Sequence, residues 1–324
     1  MPSPESENEL GRDVDDAMRM FERSRVGASA TLVPIRPSRV LLVLDGSPQD
    51  AASIAAASTL REHFNTETLV LDARDRTRLI EGQDLDSVPV DLAPESAAEI
   101  SGARPVARID GEPHHAIRQT AETHDIDLIV VPCPFGRDFE SIGSDSVGSV
   151  IDVMLSHSPA PLLITRRDDM RLAECRRRVA IVIGSECDVG PKAARWAIGL
   201  SDESAELTLN LVVEHEAYEN MRSMIEAIDE DIELDKAKFG DALTKSHHDL
   251  HATLAKTIAE TSRRYSLKCQ AGEVAPPNPL ADDQSMLLVM PLEVDDRFTL
   301  GFVQDRIRRS PHPVLVVPGH VQAG

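Results

Sequence analysis

The chain is poor in aromatic residues and poorer still in lysine. Of its 324 residues one is Trp, two are Tyr and seven are Phe. Its cores must therefore be aliphatic, which suits parallel sheets covered by helices. Only six of the 34 basic residues are Lys (192, 236, 238, 245, 256 and 268); the rest are Arg. No apolar run approaches the ~20 residues that span a bilayer, so no membrane insertion is expected. The N-terminus, MPSPESENELGRDVDDAMRM, has neither the cationic start nor the apolar stretch of a secretory signal. A soluble, cytoplasmic protein is expected. Cys133, Cys175, Cys187 and Cys269 lie far apart with no CxxC, which argues for reduced thiols rather than a disulfide framework.

Positive charge is scarce as well: the net charge is −21. The acidic surplus is spread along the whole chain, and no acidic block exceeds a few residues. A salt-saturated cytoplasm favours this pattern, because self-repulsion is screened to within ~3 Å at 1 M salt. The reading is a halophilic protein. Binding to nucleic acid is disfavoured, since phosphate backbones need a basic face.

What is present is written twice. RVLLVLDGSPQDAASIAAASTL from Arg39 parallels RVAIVIGSECDVGPKAARWAIGL from Arg178. DLIVVPCP from Asp127 parallels MLLVMPLE from Met286, and SPAPLLIT from Ser158 parallels SPHPVLVV from Ser310. Three landmarks in one order predict two tandem copies, at 38–167 and 176–319, with 168–175 as a solvated linker. Copy one reads as strands at 39–44, 67–72, 105–109, 127–132 and 161–165, alternating with helices near 49–62, 113–124 and 147–156. An irregular acidic stretch is expected at 73–103. Alternation with apolar strands predicts two Rossmann-like α/β domains, each a five-stranded parallel sheet wrapped on both faces. Copy two is expected to follow this plan with two changes. A long helical stretch fills 217–264, with Ile225, Ile228, Ile232, Phe239, Leu243, Leu250, Leu254 and Ile258 mostly on one face. Its loop after the fourth strand is also shorter. Residues 1–37 form a tail in which Leu10, Val14, Met18 and Phe21 have helical spacing.

Both copies resemble universal stress protein domains. In copy one the resemblance rests on VLDGS (43–47), DLIVV (127–131), the turn Gly136…Gly148-Ser149-Val150, and HSPAPLLIT (157–165). It implies a strand order of 3-2-1-4-5 in each domain and pairing of the two closing strands, here within one chain. It also implies ATP or a related nucleotide, with Mg, at the carboxyl ends of the first and fourth strands of copy one. There Asp45, with Gly46 and Ser47, would meet the adenine or ribose edge, and Val70 would offer backbone contacts to the base. Gly136, Gly148, Ser149 and Val150 would turn N–H groups toward the phosphates. Independently of any family, a polyphosphate in an acidic protein needs donors without side chains, and a glycine-led helix N-terminus supplies them.

The chain departs from the family's signature of Gly, two residues, Gly, nine residues, Gly and a hydroxyl residue. Pro132-Cys133 replaces the first Gly, eleven residues separate Gly136 from Gly148, and Asp138, Glu140 and Asp145 lie between them. In copy two MPLEVDDRFTLGFV has one Gly followed by Phe302, and no nucleotide site is expected there.

Rival constellations carry less. SDSVG (144–148) places Ser146 as in a nucleophile elbow, but far from a strand end. His247 and His251 share a helix face without a third zinc ligand, so a solvated face is expected. His114 and His115 begin a helix and read as its cap neighbourhood. The leading expectation is a stress-response or regulatory protein, not an enzyme beyond slow ATP hydrolysis. The alternative is a nucleotide-free interaction module that meets a homo-oligomer or protein partner through the long helix of copy two.

Overall fold

The computed structural model describes residues 31–74, 91–109, 111–136, 147–167, 169–184, 187–228, 235–273, 285–293 and 295–319. Its elements run β1 (Arg39–Leu44), α1 (Asp50–Phe64), β2 (Glu67–Asp72), α2 (Ala93–Glu99), β3 (Arg104–Pro105), α3 (Pro113–Thr123), β4 (Leu128–Pro132), α4 (Ser149–His157), β5 (Leu162–Thr165) and α5 (Leu172–Cys175). They continue with β6 (Arg178–Ile183), α6 (Gly190–Leu200), β7 (Glu206–Glu214), α7 (His215–Ile228), α8 (Lys236–Ser246), α9 (His248–Ala259), β8 (Arg264–Glu273), β9 (Leu287–Leu292), α10 (Arg297–Arg309) and β10 (Val314–Pro318).

The strands form one sheet in the order β3-β2-β1-β4-β5-β10-β9-β6-β7-β8. Every pairing is parallel except β5 with β10, which run antiparallel with Leu163 opposite Leu315. Parallel strands buried on both faces read as continuous apolar runs. Accordingly β1, β4, β5, β9 and β10 are buried almost from end to end. One core lies beneath α1, α5, α6 and α9, drawing on Leu42, Val70, Leu172, Ile181, Leu209 and Leu254. The other lies beneath α3, α4 and α10, drawing on Leu41, Leu69, Ile117, Ile151, Met290 and Val303.

Four expectations change on this scaffold. The junction that composition reads as a solvated linker forms α5, with Leu172 and Cys175 fully buried in the first core. The acidic stretch carries a helix, α2, started by Pro94. The long helical stretch is α7, α8 and α9, with Asp235 capping α8 through Lys238 N–H (2.7 Å) and His247 separating α8 from α9. That histidine is buried, and His251 bonds the Tyr265 hydroxyl at 2.8 Å, so this face is packed rather than solvated. The halves also differ in their crossovers: among the described residues no helix stands between β8 and β9, where α3 stands between β3 and β4.

Of the tail, residues 31–37 are described, and they cross α6 as a strap. Ile35 N–H donates to the Arg195 carbonyl (3.0 Å), and Arg195 Nε donates to that of Val33 (2.8 Å). The spacing of Leu10 to Phe21 lies outside the described residues, as do Ser146 and Ile232. Among the described residues the cysteines are free thiols, no group of His, Cys, Asp or Glu could hold a metal ion, and no helix is long and apolar enough to cross a membrane.

Candidate functional site

At the carboxyl edge of β1 the chain turns through Asp45, Gly46 and Ser47 into α1. Asp50, in the first turn of α1, accepts from Asp45 N–H (3.0 Å) and Gly46 N–H (2.8 Å). Gly46 needs its residue type: its φ is +77°, and a Cβ there would meet the Arg74 side chain at 2.7 Å. Asp45, 7% exposed, reaches outward from this turn. One oxygen accepts from Ser47 N–H (2.8 Å) and the other from Gly136 N–H (2.5 Å), which ties the β1 turn to the turn after β4.

Gly148 brings in the third piece. It caps α4 at φ +85°, and a Cβ would lie 3.2 Å from the Phe135 backbone nitrogen. Only glycine allows both that conformation and that approach. The start of α4, at Ser149 and Val150, is thereby held beside Phe135-Gly136. The first N–H groups of a helix have no intrahelical partners, so this end is a source of oriented donors. Asp45, Gly46, Ser47, Gly136, Gly148, Ser149 and Val150 thus collect at one edge of the sheet, where an open α/β sheet forms its crevice.

Val70 does not join them. It sits inside β2 between Leu42 and Pro105, its side chain is fully buried, and its carbonyl accepts from Val106 N–H at 2.9 Å. The residue that reaches the edge on this strand is Asp72. Asp138, Glu140 and Asp145 lie outside the described residues.

Four residues of the edge escape the sequence reading. Asp50 carries a weak signal, since Ser47-Pro48-Gln49-Asp50 has the spacing of a helix-capping pair. Asp72, Arg74 and Arg108 carry none. Asp72 receives the Arg74 guanidinium at 2.6–3.1 Å and Leu92 N–H at 3.2 Å. Arg108 donates to the carbonyls of Arg74 and Gly111.

The electrostatics of the edge follow from these contacts. Burial raises the Asp45 carboxyl above its ordinary range, and its hydrogen bonds only partly offset this. Asp50 is pushed up to about 7, by burial first and then by the Asp45 charge. Two buried carboxylates this close do not both ionise freely. Asp72 is held low: burial works against its charge, but the Arg74 fork and the N–H groups of Arg74 and Leu92 outweigh it. The edge therefore carries one neutralised acid–base pair, one acid pair sharing its charge, and a helix N-terminus.

The equivalent edge of the second half is filled. A Cβ on Gly184 would stand 3.0 Å from the Phe302 ring, which closes over the end of β6 and lies under Arg306 at 4.7 Å. Glu293 accepts from Asp188 N–H (2.7 Å) at the turn into α6.

Comparisons with known proteins bear on the fold and on the first half. The chain is similar in structure to a universal stress protein from Archaeoglobus fulgidus DSM 4304, with 16% identity over 87% of this chain and 97% of that one and a TM-score of 0.56. It is also similar to a functionally unknown protein from Pseudomonas aeruginosa PAO1, with 13% identity over 87% and 92% and a TM-score of 0.52. No curated protein matches the chain. Residues 37–166, which carry β1 to β5 and the whole of the acid-lined edge, match the universal stress protein family.

Proposed function

We propose that the chain is a stress-response regulator of universal stress type that binds an adenine nucleotide at the edge of its first half. One observation carries this reading: Asp45 and Gly148 draw the β1 turn, the β4 turn and the start of α4 together at the carboxyl edge. Phosphates would lie against the N–H groups of Ser149 and Val150, the donors that an acidic chain can offer without lysine. Asp45 acts as a positioning residue, because backbone N–H groups already occupy both its oxygens. Both carboxylate oxygens of Asp50 are engaged in the same way, so Mg2+ would arrive on the nucleotide and screen its phosphates from this acidic edge. Among the described residues both carboxylates of this turn are engaged by N–H groups, and in this reading the role is binding without fast turnover. In this reading the two halves are tandem copies, β3-β2-β1-β4-β5 and β8-β7-β6-β9-β10, joined back to back through β5 and β10.

The test is thermal unfolding in high-salt buffer with ATP, ADP and AMP, each with and without Mg2+. Saturating nucleotide at about 100 times Kd should add about 2.7 kcal/mol, read as a rise of several degrees in Tm. Gly148→Glu should abolish the shift by placing a carboxylate against Phe135. A flat response of the wild-type protein to all three nucleotides overturns the nucleotide reading.

A second reading, an interaction module without nucleotide, is favoured by α7, which exposes Met221 and, at 65%, Met224. Replacing both with Asp should lower the oligomeric state in light scattering if α7 docks a second copy. An unchanged state removes that support.

A further inference from the structure

The second half lacks more than a nucleotide edge. Aligned by their first two strands, the halves match residue for residue: Arg39 pairs with Glu67 across β1 and β2, and Arg178 with Glu206 across β6 and β7. In the first half this sheet face carries Leu41, Leu69 and Leu71, all buried beneath Ile117 and Ala121 of α3. At the same three places the second half has Ala180, Thr208 and Asn210. Where the first half has one leucine the second has a single methyl, and where it has two more the second is polar, while the opposite face of the second half, with Val179, Ile181, Leu207, Leu209 and Leu211, is apolar and buried. The face that turns polar is the one without a covering helix among the described residues.

The change opens a cavity of about 210 Å³, the liquid volume of about seven waters. Ala180, Thr208 and Asn210 line it with Lys268 and Gln270 of β8 and with Met286. Asn210 is 5% exposed, yet its Oδ1 has no hydrogen-bond partner, and neither has the buried Oε1 of Gln270. A buried acceptor without a donor costs about 1–3 kcal/mol, so a folded chain that keeps two of them facing one cavity is suited to a ligand that supplies donors. Thr208 is already bonded to Ser266 (3.0 Å), and Glu206 already lies near Arg178 and Arg264. Lys268, directly opposite Asn210 on the neighbouring strand, makes no hydrogen bond or ion pair among the described residues. Cross-strand neighbours stand about 5 Å apart, so acceptors and an unpaired cation meet within the span of one small molecule.

We propose that this cavity binds a small amino carboxylate. Its ammonium donates to the amide oxygens of Asn210 and Gln270, its carboxylate pairs with Lys268, and its short side chain lies on Ala180 and Met286. The site is separate from the first-half edge and does not depend on the nucleotide reading.

The experiment is titration of the full chain with glycine, L-alanine, L-serine and L-glutamine, with acetate and methylamine as the two halves of the pharmacophore. Saturable binding is expected for at least one of the amino acids at millimolar concentration, and neither half-molecule should match it. Asn210→Val and Lys268→Gln should each weaken binding about tenfold or more, as removal of a charge-assisted hydrogen bond does. Gly148→Glu should leave it unchanged. Lys268 is exposed, so Lys268→Gln decides the matter even if Asn210→Val unfolds. No saturation by any amino acid, acetate binding as tightly as the amino acids, or wild-type affinity in Lys268→Gln would overturn the proposal.

Discussion

At the residue scale, the sharpest consequence concerns His312, just ahead of β10. It is 1% exposed and neither ring nitrogen has a partner. Burial first, and then the nearby Arg167 charge, lower it from 6.5 to about 4. The unfolded chain therefore takes up this proton at a higher pH than the folded one. Stability is fully present above about 6.5 and falls as pH drops toward 4, by about 3 kcal/mol. Asp50 works in the opposite sense: its raised carboxyl favours the folded state at low pH, and that contribution fades as pH rises through about 7. His312→Leu should flatten the loss of stability between pH 6.5 and 4 in chemical denaturation. An unchanged slope would mean that His312 is hydrated or paired in solution. Asp45 and Gly148 stand out in the sequence because their types announce a constraint, an acid after a buried strand and a glycine at a helix start, and the structure brings both to the carboxyl edge. Val70 was misplaced because its position along β2 depends on register, which only the pairing with Leu42 and Val106 reveals. Arg74 and Arg108 could not be read at all, since arginines near a strand end have no local signature.

At the element scale, most strands were legible because a strand buried on both faces has an unbroken apolar run, as VLLVL and LIVV do. Alternation hides β8, whose Ser266, Lys268 and Gln270 line a polar face. The helix α2 was missed because its seven residues carry a proline, two glutamates and small residues, with no apolar period to detect. Apolar spacing runs through the breaks at Asp235 and His247, which is why three helices read as one. The strap over α6 was not foreseen either, although it leaves a trace in Gly199. A Cβ there would collide with the Ile35 carbonyl. Gly199→Val should therefore lift residues 31–37 off α6, with a loss of about 1–3 kcal/mol from the overpacked contact and faster proteolysis ahead of Pro37. Wild-type stability and protection would show that the strap is dispensable.

At the scale of the whole molecule, one sheet of ten strands reverses direction only where β5 meets β10. Three repeated landmarks are legible in the sequence, and the single sheet follows from the apolar strands β5 and β10, each of which would otherwise be an exposed edge. The net charge of −21 belongs to this scale too. With like charges on a compact body, stability should rise steadily as KCl is raised from dilute buffer to molar concentration, because screening relieves self-repulsion. A Tm that is flat or falls with salt would remove the halophilic reading. The contrast between the halves is equally a property of the whole: the first gathers Asp45, Gly136 and Gly148 at its edge, and the second packs Phe302 against Gly184 and has a cavity at Asn210. The central claim is that a nucleotide binds in the first half alone, and the stoichiometry of ATP binding tests it most directly. Calorimetric titration of the full chain in molar salt with Mg2+ should give one site per chain in the wild type and none in Gly148→Glu. Two sites, or none in the wild type, would contradict the account.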